Sequence, residues 1–355
     1  MTVYTLAILA MWWGGIITEI SQNGKRLRSK IYLIAICFLW MLIASFRATV
    51  VGTDTVNYLN AFHGISYPHF EPGYTLLNNV LTFLGIDDAT FLFVLSVIIY
   101  VPVFISIHHY SESPWISVMA FFSLQFFGLS LTAIRQMIAV SILTFGIKYI
   151  VERKIRNWLL LCLIAFSVHH SSICVMPLYF APSIKLGKRL WLRFLFLEML
   201  VFMASDFVVR FLYLISEFVP FIGSYTFFYF KPSNLTNLTV SISDYIILGA
   251  LNIVIALFSR RGKEKVPEII RISMCSIMMA CLVLILSFST VNIIKRVNIY
   301  YMFYIIYLLP WLIGSFRLFL QRDLGKVLVC GGLTVYFYYY ICRGILNLYP
   351  YQFSF

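Results

Sequence analysis

Charged residues are scarce in this 355-residue chain, at 12% of positions against 61% hydrophobic. With a mean hydropathy of +0.89 and apolar stretches of membrane-spanning length recurring from end to end, no room is left for a sizeable soluble domain. The apolar runs lack the alternation of apolar and polar residues that a transmembrane β-barrel needs; they are continuous in Leu, Ile, Phe and Val, which points to helices. The seven cysteines are scattered and never closely paired, so they read as packing residues and neither a disulfide framework nor a metal site is expected. No positive residue precedes the first apolar run and no small-residue cleavage pattern follows it, as a signal peptide would require. That run is therefore expected to be a retained first helix. Internal repeats and low-complexity tracts are also lacking.

What is present is a strongly basic balance, a net charge of +13, concentrated in short clusters beside apolar runs. They are Lys25 to Lys30, Lys148 to Arg156, Lys185 to Arg193, Arg260 to Lys265 and Arg317 to Lys326. This placement reads as a topology signal rather than a nucleic-acid surface, and with all the clusters in the cytoplasm both termini lie outside. The expected fold is an all-α polytopic bundle of about ten to twelve spans, residues 1–355 forming a single membrane domain. Spans are expected at about Thr2 to Ile20, Ile31 to Phe46, Ala89 to His108, Trp115 to Leu131, Ile134 to Ile150, Leu190 to Ser205, Tyr245 to Phe258, Ile269 to Phe288, Val297 to Phe316 and Val327 to Cys342. Crossing once between Trp158 and Pro182 would put Lys185 to Arg193 on the wrong side, so a broken or re-entrant helix with its break near His169 and His170 is expected there, the alternative being one long helix followed by a crossing at Val208 to Phe230, which keeps the same downstream parity. Residues 47–88 should form an outer loop with short helices, and Asp206 to Ser243 an outer aromatic-rich loop with interfacial helix character.

Given this topology, unusual polar residues from distant segments gather on the outer side. Arg47, Asp54, Tyr58 and Glu71 lie in the first outer loop, Arg135 and Gln136 open one helix, Lys295 and Arg296 open another, and His169 and His170 sit at the break. Helix openings carry free N–H groups and the positive dipole end, and an arginine there suits a phosphate-type anion. The anion expected in the outer leaflet of a bacterial membrane is the pyrophosphate of a lipid carrier. Asp54, Glu71 and His169 are the candidates for proton transfer. Blander roles compete: Arg47 and Arg296 as snorkelling interfacial residues, the His169–His170 pair as a polar kink satisfied by carbonyls, and Asp54 as a helix N-cap. The pairs Asp87–Asp88 and His108–His109, at span ends, read as solvated loop residues. The sequons at Asn234 and Asn237 are weak evidence of glycosylation.

The chain resembles the EpsG-like branch of the Wzy-type polysaccharide polymerases. The matching pieces are Arg47 through Gly52-Thr53-Asp54-Thr55 to Tyr58, then Phe70-Glu71-Pro72-Gly73-Tyr74, then Ile134-Arg135-Gln136 with Ala139, then His169 with Ser171 and Pro177, and finally Arg296 with Tyr300. His170 departs from the pattern, leaving open which histidine faces the site. The resemblance implies an inverting-type glycosyl transfer at the outer face of the bacterial cytoplasmic membrane, with undecaprenyl-diphosphate-linked oligosaccharide as donor and acceptor. Arg135 and Arg296, with Arg47 as a third candidate, would stabilise the departing pyrophosphate, and Asp54, Glu71 or His169 would activate the acceptor hydroxyl. Gln136, Tyr58, Tyr300 and His170 are further expected substrate-binding residues. No cofactor or metal is implied, in keeping with the lack of a DxD-like acidic pair. A chain-length regulator protein is left open as a partner, and nucleic acid is not one. The capsule, O-antigen and exopolysaccharide pathways are not separated. A flippase for the same lipid-linked sugar would be expected to show polar residues on both sides of the midplane and related halves. An O-antigen ligase would share the chemistry and differ in acceptor.

Overall fold

A computed structural model describes residues 1–20, 24–65, 70–184, 189–218, 242–259, 266–289, 293–316, 318–344 and 346–354. Among them the secondary structure is helical apart from one isolated β-bridge, between Arg47 and Phe353. The protein is a polytopic helical membrane protein. Five helices are long and apolar enough to cross a membrane singly, and up to seven spans result if two pairs of short helices each count as one broken span. The chain divides into two compact units, Met1–Met176 with Ile305–Phe355, and Pro177–Tyr304.

The first unit holds α1 (Thr2–Glu19), α2 (Lys25–Ser45), α3 (Thr55–Phe62), α4 (Pro72–Phe83), α5 (Asp88–Tyr110), α6 (Pro114–Ser123), α7 (Phe126–Thr132), α8 (Ile134–Val151) and α9 (Ile155–Val168). Near the C-terminus it adds α14 (Ile305–Gly314) and α15 (Phe319–Cys342). Residues Trp115 to Ser123 of α6 are all buried, as expected of a helix that is apolar on every side. It packs against α1, α14 and α15. Fully buried Trp40 of α2 lies with ring centroids 5.0 to 5.6 Å from Tyr100, Phe104, Phe121, Phe122 and Phe127. Such offset and edge contacts add to the large apolar area each ring buries.

The span expected as one run from Trp115 to Leu131 is instead broken: α6 and α7 meet at 53°. Gln125 takes a left-handed conformation, φ 76°, which interrupts the helical ladder and redirects the chain. The chain also breaks at His169, which is extended (φ −154°, ψ 111°) between α9 and a 3-10 helix over His170–Ser183, at the site of the expected break.

The second unit contains α10 (Leu190–Phe218), α11 (Ile242–Ser259), α12 (Glu268–Leu286) and α13 (Ile293–Met302), with α12 packed against each of the others. Within it the Arg271 guanidinium donates to the Pro182 carbonyl at 2.9 Å, and the Ser276 hydroxyl to the Tyr301 carbonyl at 2.9 Å. The expected loop from Asp206 begins as helix: α10 runs on to Phe218, and α11 already includes Ser243. The rest of that expected loop, 219–241, and the sequons at Asn234 and Asn237 lie outside the described residues.

Residues 47–88 hold α3 and α4, the short helices expected there. Tail residues fasten the start of this segment: Ala48 N–H donates to Gln352 O and Gly52 N–H to Asn347 O, both at 2.9 Å. Gly52 is at φ 92°, and a Cβ there would lie 2.8 Å from both Leu131 O and Thr55 Oγ1, so only glycine fits. Helix α4 lies close on α9, since a Cβ on Gly73 would come within 2.4 Å of Ser167 Oγ and 2.8 Å of its carbonyl oxygen. Adding that methyl forces backbone apart. Gly73→Ala is expected to cost ~1–3 kcal/mol, read as a lower thermal unfolding midpoint in detergent; an unchanged midpoint would contradict the close approach.

Candidate functional site

The site is built where the N-terminus of α4, the N-terminus of α8 and the break after α9 meet. Glu71 is the N-cap residue of α4, with extended backbone (φ −63°, ψ 150°) and Pro72 at the first helical position, yet its side chain makes no cap hydrogen bond. It is 2% exposed. Its Oε1 accepts from His169 Nδ1 at 2.8 Å and from the His170 backbone N–H at 3.3 Å. Its Oε2 accepts from Arg135 Nη1. One carboxylate thus ties three elements by charge-assisted bonds.

Burial pushes the Glu71 carboxyl up, but the His169 hydrogen bond and the Arg135 charge outweigh it and hold the group at about 2. Glu71 is therefore ionised throughout the physiological range. An anionic acceptor places the imidazole proton of neutral His169 on Nδ1 and leaves Nε2 with a lone pair. The break makes this possible: extended backbone at His169 turns its ring toward α4 and aims the next N–H at the same oxygen. The His170 imidazole lies 3.8 Å from Glu71 Oε1. Its Phe166 neighbour packs one turn back on α9, with centroids 4.7 Å apart.

Arg135 is surrounded by more than its carboxylate. Its guanidinium sits 4.5 Å above the Phe70 ring, a cation–π contact, and it is hydrogen-bonded with Tyr58. Tyr58, Phe70 and Tyr74 form an aromatic triad with centroids 5.0 to 5.6 Å apart. Arg135 Nε and the Tyr74 hydroxyl are buried with no hydrogen-bond partner. Phe70 and Tyr74 carry no chemistry conspicuous in the sequence; the aromatics flanking a lone acidic residue are the signal it offers.

Asp54 occupies the N-cap position of α3, where the sequence reading placed it, but its carboxylate makes no cap bond. It is half-buried, close enough to raise the Tyr58 phenol electrostatically. Gln136, 2% exposed, follows Arg135 on α8. Arg47, 3% exposed, donates to the carbonyls of Ala44 and Leu131 (the latter at 3.2 Å) and to Thr55 Oγ1 at 3.4 Å. Burial pushes its pKa down to about 10, so it remains charged at neutral pH. Arg296 and Tyr300 are on α13 of the other unit, Arg296 exposed and Tyr300 buried. Asp87 and Asp88, read as solvated, have local roles: Asp87 caps α5 by accepting from Thr90 N at 3.1 Å, and Asp88 pairs with His63 at 2.7 Å. Among the described residues no group of three or more His, Cys, Asp or Glu is arranged to hold a metal ion.

This is an integral membrane protein with a buried glutamate–histidine–arginine cluster drawn from separate helices. The EpsG family model matches residues 30–353, nearly the whole chain, and the protein belongs to that family. No curated protein and no solved structure matches the chain.

The Glu71 carboxyl fixes a pH dependence. Its folded value of about 2 lies below the 4.5 of a free glutamate, so its contribution to stability is complete above about 4.5 and is lost as pH falls from there toward 2. The unfolding midpoint of wild type should exceed that of Glu71→Gln by a constant margin at neutral pH, and the margin should shrink below pH ~4.5. A margin that shrinks already between pH 7 and 6 would contradict an ionised, paired Glu71.

Proposed function

We propose that this protein is a polysaccharide polymerase, a membrane glycosyltransferase that joins undecaprenyl-diphosphate-linked oligosaccharide units at the outer face of the bacterial cytoplasmic membrane. Family membership supports the class. The observation that carries the chemistry is the Glu71 carboxylate shared between His169 and Arg135.

In the proposed reaction an acceptor hydroxyl at the non-reducing end of the incoming unit attacks the anomeric carbon of the growing chain. The new C–O bond forms as the bond to the carrier diphosphate breaks. His169 Nε2 takes the hydroxyl proton, and Glu71, held ionised, orients the ring and stabilises the imidazolium that results. Glu71 is thus a positioning residue, and His169 is the base. Arg135 stabilises the diphosphate as charge develops on it, through donors that Glu71 does not occupy. Arg296 and Tyr300, on α13, are kept as proposed diphosphate-binding residues in their own right; Asp54 stands on the acceptor side with Tyr58. Arg47, bonded to two backbone carbonyls and the Thr55 hydroxyl, is assigned to bracing the loop that carries Asp54. Guanidinium charge neutralises the leaving group, so the reaction needs no divalent ion.

Arg135→Ala and Arg296→Ala should each abolish polymer in cells while the protein still inserts, leaving single units on the lipid; polymer of normal length in either variant removes that arginine from the diphosphate site. Purified protein should extend a lipid-linked unit in excess chelator, and reversible inhibition by chelator would overturn metal independence. Cells lacking the protein should accumulate the lipid-linked unit on the outer face. Accumulation confined to the inner face would mark a transporter instead.

A further inference from the structure

Helices α2 and α5 pack side by side, and between them lies a groove of about 380 Å³. Its walls are apolar: Ile34, Phe38 and Met41 from α2, with Val101 and Ile105 from α5. One end is different. Lys30, His108 and His109 stand there together; among the described residues none of the three is paired with a carboxylate, and the rings of His108 and His109 lie 5.6 Å apart. Arg26 lies four residues before Lys30 on α2 and is exposed, hence on the same helix face.

The dimensions select the occupant. From Lys30 to Met41 is eleven residues of helix, roughly 16 Å at 1.5 Å each. That is about half of a 30 Å hydrocarbon core, one leaflet deep. Spread over that length, so small a volume leaves a channel too slender for a helix with side chains, at about 10–12 Å across, and suited to one hydrocarbon chain. Both helices are candidate membrane spans, so the medium around the groove is itself lipid. Ile34, Phe38 and Ile105 are 61%, 54% and 43% exposed, which leaves the groove open to an entering chain.

We propose that the α2–α5 groove is a binding site for an anionic phospholipid, one acyl chain lying along it and the phosphate seated at Lys30, His108 and His109. Lys30 supplies the charge, with Arg26 reinforcing it from the same face, and each imidazole offers an N–H whatever its protonation state. The site is independent of the proposed glycosyl transfer and uses none of its residues.

Photo-labelling of the full-length protein in nanodiscs tests this, using phosphatidylglycerol or phosphatidylcholine carrying the same diazirine acyl chain. The phosphatidylglycerol probe is expected to label the groove walls roughly fivefold more strongly than the phosphatidylcholine probe. The combined Lys30→Gln, His108→Gln and His109→Gln substitutions should remove that preference. Ile105→Trp, at an exposed position on the wall, should lower labelling by both probes. Equal labelling by the two probes, or a preference that survives the triple substitution, overturns the phosphate seat. Labelling spread evenly over all the lipid-facing helices overturns the groove. Neither readout depends on polymer formation, so failure here and failure of the polymerase proposal are distinguishable.

Discussion

A buried carboxylate in so apolar a chain is tolerable only because it is paired, and the architecture around Glu71 follows from that requirement. Removing an ion from water costs several kcal/mol even after relaxation. Glu71, at 2% exposure, recovers this through Arg135, His169 and the His170 N–H. The partners arrive from two places, Arg135 from the start of α8 and both histidines from the break after α9. The contact of α4 on α9 at Gly73 is what brings the carboxylate within reach of both. A structural ion pair and a functional one are not alternatives here. The same bonds that make the buried charge affordable fix the tautomer of His169 and the position of Arg135.

Most helices were legible from sequence, because long apolar runs bounded by basic clusters leave little freedom in where a helix starts and stops. The break at His169 was legible in part: the charge parity of the flanking clusters favoured it over a single crossing, and two adjacent histidines marked the spot. The break at Gln125 was not, because a single glutamine inside an apolar run is compatible with a continuous helix, and glutamine carries no preference for the left-handed conformation it takes here. The continuation of α10 through Asp206 to Phe218 was also missed. Scattered charges there looked like a loop, but isolated charges do not interrupt a helical ladder.

At the site, the members that sequence identified were those whose chemistry is conspicuous in a greasy chain. Glu71, Arg135 and His169 stand out by their rarity, Tyr58 by its place in the first outer loop, and the structure brings the four together. Phe70 was not named as a ligand of anything, since a phenylalanine is unremarkable in a chain with 33 of them. Its position beneath Arg135 appears only once α4 and α8 are placed.

Arg47 and Arg135 show why rarity alone does not assign a role. Both sit at the edge of a helix in the same unit, and both are mostly buried. Arg47 directs Nη1, Nη2 and Nε to Ala44 O, Leu131 O and Thr55 Oγ1, acceptors with no signature in sequence because two of them are backbone. A guanidinium so committed holds segments together and has little to give a ligand. Arg135 gives Nη1 to a carboxylate and rests on an aromatic face, while its Nε has no partner. Of its five N–H donors, some are left for a second anion, and the Glu71 charge already beside it keeps that anion from binding too tightly to leave. In the proposed transfer, which releases a lipid diphosphate each time, this partial neutralisation would be an advantage that a bare arginine would not have.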